Sequence, residues 1–422
     1  VGIAGTALFA LVPALSTRLA SRGLNQRSVG GGSAGHGRGF HRRLVTVQVG
    51  FTAIMLVQAG LLSRTLLNLS RVELGFAQED LAVLRFSLPD TYSGEEYVSL
   101  FDEVLARVRA VPGVEEVSLI NALPLTVRGG TEDSPVELPT GPSDPPQIVQ
   151  SRTVSPGYHR MMGIPLLQGR LLSPSDQPGD LRAALVSEFM AQSVWPGRSP
   201  LGESFTHQGR RYQVVGVVGD VRHSGPLEGY VSTFYTPYRQ VPKNQSFLVA
   251  RVPAGPETAL PAIDSAVRSL PVPVMTHLQN TMEELVASKM TDQRYHATLS
   301  LGFGIIALVL AAAGILGVAA RAVTSRRHEI GVKKALGAGE HGLVRAIVVA
   351  GAVPALQGAL IGLALALVFV RVLSGFLFGV SLLDPASYLL GGFLLLLVSA
   401  VASFIPARRI AAIDPVEALR AD

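Results

Sequence analysis

Charged side chains are absent from five stretches of the 422-residue chain: 1–17, 44–63, 295–320, 346–370 and 385–407. Each of the last four is at least 20 residues long, the length a helix needs to cross roughly 30 Å of hydrocarbon. The pattern predicts four complete membrane spans, at 44–67, 295–320, 346–371 and 385–407. The apolar run at the start reads as the end of a preceding span, 1–22. Its exit, Val12-Pro13-Ala14 followed by Arg18 and Arg22, parallels Ile405-Pro406-Ala407 followed by Arg408 and Arg409. That parallel predicts a membrane unit present twice in a longer protein.

Between the first two complete spans the pattern changes. Residues 81–88 alternate as a strand does. Val98, Phe101, Val104, Leu105 and Val108 recur at helical spacing and predict a helix over 95–111. Pro112-Gly113 ends that helix, and a strand over 114–120 completes a β-α-β unit. Residues 125–147 are rich in Pro, Gly, Ser and Thr and read as a loop. Beyond them the pattern predicts short helices at 155–162 and 187–194. Strands are expected at 212–218, 233–235, 247–252 and 274–277, and helices at 257–270 and 282–290. Residues 68–294 therefore read as an α/β domain of two subdomains, large enough for its own core. Residues 23–43 read as a linker, because 23–39 holds seven glycines among Ser, Asn, Gln and Arg.

Charge orients this arrangement. Between Ser70 and Arg294 there are 25 acidic and 19 basic side chains, a balance of −6. The rest of the chain has 6 and 17, a balance of +11, which together give the net charge of +5. Basic residues gather before the 44–67 span, in 321–345 and after 407, and short Lys/Arg-rich segments stay cytoplasmic. The linker, the 321–345 loop and the 408–422 tail are thus expected inside. The 68–294 domain and the 372–384 loop are expected outside. Basic residues that flank spans do not form the single patch of a nucleic-acid binder.

Candidate chemistry is sparse. The chain has no cysteine, which removes disulfides and thiolate chemistry. It contains no GxxxxGK[ST] or HExxH motif. Asp220-Val221-Arg222-His223 gathers an acid, a base and an imidazole after a strand, and reads either as a catalytic or metal site or, with far greater weight, as a salt-bridged turn. The charge-free stretches hold no Asp, Glu, Lys, Arg or interior His, the groups that ion and proton pathways normally need. Gln48 and Gln58 are the strongest polar groups of the 44–67 span. Gly314, Gly317, Gly351, Gly358 and Gly362 provide small-residue faces for helix packing. No catalytic residue, metal site or cofactor is expected on this chain.

The distinctive segment is 325–338, SRRHEIGVKKALGA. On a helix, Val332, Ala335, Leu336, Gly339 and Leu343 share a face, with Arg326, Arg327, Lys333 and Lys334 around the rest. Spacing leaves two readings open: a juxtamembrane helix on anionic lipid, or a docking helix for a cytoplasmic partner.

This segment resembles the cytoplasmic signature of MacB-like and FtsX-like ABC-transporter permeases, close to RRxEIGxxxALGA, with His328 the departure. The segments 195–202 (WPGRSPLG) and 215–222 (VGVVGDVR) look like elements of the MacB-type periplasmic core domain. PARR at 406–409 with IDPVEAL at 413–419 is similar to the family's C-terminal end. With the repeated helix exit, the chain resembles the second half of a duplicated, acidobacterial-type permease. The resemblance implies a four-span FtsX-like helical bundle carrying a large extracytoplasmic MacB-like α/β domain, in the bacterial inner membrane. It implies a separate cytoplasmic P-loop ATPase that uses the ATP, a second permease half or subunit, and mechanotransmission to the outer domain without a channel through the spans. Glu329, Ile330, Gly331, Lys334, Ala335, Leu336 and Gly337 would then form the ATPase-coupling segment, with Arg326 and Arg327 anchoring it at the headgroups. The same resemblance admits a regulator of a periplasmic hydrolase. A membrane sensor without an ATPase also remains open.

Overall fold

The computed structural model describes residues 34–126, 132–139, 141–142, 147–325, 340–372, 375 and 377–408. The expected end of an earlier span (1–22), the first part of the linker (23–33), the coupling segment (326–339) and the tail beyond 408 lie outside the described residues. The chain forms two compact units. One, the membrane unit, takes its described residues up to Val57, from Phe303 to Phe369 and from Pro385 onward; the other, the outer unit, holds Gln58–Gly302 and Val370–Asp384.

Four long helices dominate: α1 (Ala34–Leu69), α7 (Thr291–Ser325), α8 (Glu340–Val372) and α9 (Pro385–Arg408). Helix α1 begins inside the stretch that its glycines marked as linker. Residues 34–43 contain no proline, and a helix nucleated in the adjoining apolar run propagates at little cost. Likewise α7 and α8 occupy 321–325 and 340–345, both ends of the expected cytoplasmic loop.

The outer unit is built on β1 (Leu81–Ser87), α2 (Gly94–Arg109), β2 (Glu116–Ile120), β12 (Gln245–Arg251), α5 (Pro256–Arg268) and β13 (Met275–Thr281). Their order across the sheet is β13-β1-β12-β2. Strand β12 is antiparallel to both β1 and β2, so the expected β-α-β unit is split by a strand from far along the chain. Two such split units interleave, the ferredoxin-like arrangement. Along β1, Ala82, Leu84, Phe86 and Leu88 enter the core under α2 and α5, while Leu81 and Val83 enter the core on the opposite face. Helix α2 starts with a reciprocal cap, the Glu96 carboxylate accepting from the Ser93 backbone nitrogen at 2.6 Å. It buries Tyr97, Phe101, Val104, Leu105 and Val108.

Between β2 and β12 the chain makes a second lobe. It contains β3 (Glu132–Pro135), β4 (Glu137–Leu138), β5 (Gly141–Pro142), β6 (Ile148–Val154), α3 (Tyr158–Met161) and β7 (Leu166–Gly169). It continues with β8 (Leu181–Ser187), α4 (Glu188–Val194), β9 (Ser204–His207), β10 (Arg210–Val218) and β11 (Thr233–Pro237). The sheet passes from one lobe to the other through the single pair Ile120↔Val154. The sequence leads to an expectation of two subdomains and places no boundary between them. The expected loop at 125–147 contains three short strands, and β6 to β9 carry no strong sequence signal. Strand β6 (IVQSRTV) is mostly polar, yet Gln150, Ser151, Arg152 and Thr153 are all buried. Helix α6 (Met282–Lys289) follows β13, capped by Thr281 with Glu284, and breaks at Met290 before α7.

Candidate functional site

Helices α1, α7, α8 and α9 each contain a segment long and apolar enough to cross a membrane: Arg42–Leu69, Thr291–Arg321, Gly351–Val372 and Pro385–Pro406. Inside the membrane unit most of the buried cluster is alanine and valine, among them Val49, Ala53, Ala311, Ala355, Ala359 and Ala402, with Ile315 and Leu395 beside them. Helices α1 and α8 meet backbone to backbone. A Cβ on Gly362 would overlap the Gly50 carbonyl oxygen, and one on Gly358 would lie 2.5 Å from the Thr46 carbonyl oxygen. Gly314 accommodates Gln48 Oε1 and Gly351 accommodates Ser403 Oγ, each 2.6 Å from where a Cβ would stand. Four of the five glycines singled out from sequence thus serve close approach; Gly317 has no neighbour within 4 Å of that position. The Thr52 hydroxyl donates to the carbonyl of Gln48 on its own helix at 2.9 Å and lies 3.1 Å from that of Ala307 on α7. These are contacts that hold helices together. The charge-free stretches hold no Asp, Glu, Lys or Arg, the side chains that most often mark ion and proton pathways within a membrane.

The residues predicted to couple to an ATPase, Arg326, Arg327, Glu329, Ile330, Gly331, Lys334, Ala335, Leu336 and Gly337, all lie outside the described residues. The structure bounds them between the end of α7 at Ser325 and the start of α8 at Glu340.

The Asp220–His223 group does not act as one site. Asp220 Oδ1 accepts from the Phe189 backbone nitrogen at 2.8 Å in the first turn of α4. Burial pushes its carboxyl above the ordinary value. Arg222 donates to the Glu228 carbonyl at 2.5 Å and covers the Tyr230 ring at 4.7 Å. His223 turns the other way, into the lobe, with Nε2 3.1 Å from the Tyr235 hydroxyl. The salt-bridged turn expected from sequence is therefore replaced by a helix cap, a cation–π contact and a core imidazole. Among the described residues no three His, Asp or Glu side chains gather as metal ligands.

His223 belongs instead to a buried cluster that sequence spacing gives no way to find. Arg152 from β6, Tyr158 and His159 from α3, and Tyr235 from β11 surround it. Tyr235 lies beside Arg152 in the β6–β11 register. The His159 ring stands edge-on to Tyr235, centroids 4.5 Å apart. Arg152 donates to the Ala122 carbonyl and, at 3.0 Å, to Gln150 Oε1. Burial holds the His159 imidazole neutral, its pKa pushed down to about 3. Burial, reinforced by the Arg152 charge, pushes His223 well below the usual imidazole range. Arg152 Nε, Tyr158 Oη, His159 Nε2 and His223 Nδ1 are buried without a protein partner, so the cluster costs folding free energy.

Two family models match the chain. The MacB-like periplasmic core domain covers residues 47–270, and the FtsX-like permease C-terminal domain covers 301–415. Among curated relatives, the uncharacterized ABC transporter permease YknZ of Bacillus subtilis is 25% identical over 63% of this chain and 68% of its own length. The macrolide export ATP-binding/permease protein MacB of Bdellovibrio bacteriovorus is 24% identical over 63% of this chain and 43% of its own. The pyoverdine export ATP-binding/permease protein PvdT of Pseudomonas aeruginosa is 24% identical over 75% and 47%. The chain thus spans less than half of either exporter. The core-domain model alone takes in more than half of this chain, and the two models follow one another along it as the helices and the sheet domain do. The chain therefore belongs to the ABC-transporter permeases that join a MacB-like periplasmic core domain to an FtsX-like permease domain, multi-pass proteins of the bacterial inner membrane with the large domain outside.

Proposed function

We propose that this chain is a permease driven by a separate cytoplasmic P-loop ATPase, and that it converts ATP hydrolysis into movement of its outer domain for export. The observation that carries this reading is the combination of an FtsX-like membrane unit, free of Asp, Glu, Lys and Arg in its apolar stretches, with a MacB-like outer domain inserted after span α1. Spans without such charges fit mechanical work better than ion passage. The curated names of two relatives, ATP-binding/permease exporters, support the same direction.

In this reading residues 321–345 and 408–422 face the cytoplasm, and 68–294 and 372–384 face outward. Glu329, Ile330, Gly331, Lys334, Ala335, Leu336 and Gly337 contact the ATPase, glycine allowing close backbone approach, and Arg326 and Arg327 hold the segment at the headgroups. A second permease half or subunit completes the transporter, and ATP is bound by the partner.

The test is co-purification from native membranes with ATP hydrolysis assayed, for the natural protein and Glu329→Lys. An active ATPase recovered with the natural protein and lost with the variant is the expected result. Absence of ATPase from both, with both proteins folded, overturns the reading.

A further inference from the structure

The segment between α8 and α9 is fastened to α1 at three points. Arg64 forms an ion pair with Asp384. The Phe378 backbone nitrogen lies 3.4 Å from Thr65 Oγ1, and Asn68 Nδ2 donates to the Gly379 carbonyl at 2.9 Å. Residues 64, 65 and 68 lie on neighbouring positions of one helix face. Gly379 adopts φ +61°, a conformation that favours glycine, and the space a Cβ would take there is bordered by Asn68 Nδ2 at 3.2 Å. Thr65 is buried, and Phe378 packs on the core that contains Leu69, Leu74, Met282 and Met290. By its packing the segment Val370–Asp384 is part of the outer unit, although both helices it connects are membrane helices.

Arg64 is the first charge after the 44–63 stretch, and Asp384 the last before the 385–407 stretch. The Arg64 side chain is about half exposed, and an ion pair of that kind adds little stability. Its consequence is geometric, because it holds the segment that precedes α9 against the outward end of α1.

We propose that residues 377–384 form a latch that fixes the outward end of α1 to the segment joining α8 and α9, with Arg64, Asn68 and Asp384 as positioning residues. Through it, a shift of α8 and α9 reaches the outer domain along α1 as well as along α7. The relay rests on the ATP-driven reading above; the latch does not.

The experiment uses the full chain in lipid nanodiscs with Arg64→Glu, Asp384→Arg and the double reversal. Hydrogen exchange at residues 377–384 reads the latch. Each single reversal is expected to speed exchange about fivefold, the factor that corresponds to losing a partly exposed pair, and the double reversal to restore it. Unchanged exchange in both single variants overturns the latch. The relay is read separately with whatever ATPase co-purifies. These 422 residues hold no cysteine, so a fluorophore on Met275→Cys, at a position 62% exposed in the outer domain, has one site among them. Its ATP-dependent emission change is expected to shrink in the single variants and recover in the double one. An emission change untouched by either reversal overturns the relay while leaving the ATP-driven reading intact. If no ATPase co-purifies, that reading falls and the relay with it, and hydrogen exchange still decides the latch.

Discussion

The two units bury opposite kinds of side chain. In the outer domain the fully buried residues are large: Trp195, Tyr158, Tyr235, Phe86, Phe101 and Phe205. In the membrane unit many large residues face outward, with Leu360, Val368, Leu389 and Phe393 each more than 60% exposed, while Gly, Ala and Ser make up much of the interior beside Val49, Ile315 and Leu395. The reason is the solvent. Water drives large apolar groups inside, whereas lipid is as apolar as leucine, so helices associate through close packing where side chains are small. The same hydrophobic composition thus folds right side in and inside out within one chain.

The largest test of this contrast is a matched truncation. Phe101 is 1% exposed and edge-on to Phe86 and Tyr238, with centroids 5.8 and 5.9 Å away. Phe101→Ala should cost about 3–5 kcal/mol. Phe393→Ala, facing lipid, should stay within about 0.5 kcal/mol. Trp195, the single tryptophan, is buried in the outer domain. Its fluorescence during denaturation of the full chain reports Phe101→Ala, and far-UV circular dichroism reports Phe393→Ala. Equal losses would erase the distinction between the units.

The next test enlarges a small residue. At Gly362 a Cβ would overlap the Gly50 carbonyl and lie 2.8 Å from the Ala53 Cβ. Gly362→Val should destabilise the membrane unit by about 3 kcal/mol, the upper end for overpacking against backbone. Gly317→Ala, into open space, should be neutral or stabilising, since alanine has the better helix propensity. Thermal unfolding in detergent separates the two; a tolerated Gly362→Val would break the close-packing account.

The smallest effect is confined to the outer domain and depends on pH. His159 is held neutral, with its pKa depressed from 6.5 to about 3. Between those values the unfolded chain binds a proton that the folded domain excludes. Stability from this source is full above about pH 6.5 and falls as pH drops toward 3. At pH 5 the loss is about 2 kcal/mol. His159→Phe, which keeps a ring against Tyr235, should reduce the loss measured by Trp195 fluorescence between pH 7 and pH 5. An unchanged pH profile would mean that His159 does not set it.

The sequence alone determined the features that depend on local composition. Charge-free runs locate the spans because a single charge at the bilayer centre is costly; period-3.6 patterns locate α2 and α5 because each has one face on a core, and β1 stands out as an apolar segment because both its faces meet a core. Gly314, Gly351, Gly358 and Gly362 were legible as packing positions for the same reason. What only the tertiary structure decided depends on residues far apart in the chain. Strand β12 enters between β1 and β2, because antiparallel pairing with both completes the sheet over one shared core. Strand β6 is polar by sequence and interior by position, since its partners β11 and α3 cover Arg152. Asp220 and His223, adjacent in a suggestive motif, diverge because one caps α4 and the other faces Tyr235. The 377–384 segment reads as a short loop, yet it joins the outer unit because Phe378 and Asp384 find partners on a helix more than 300 residues earlier. Local patterning specifies which segments are buried and in what solvent; which segments meet is settled by the packing that long-range contacts alone supply.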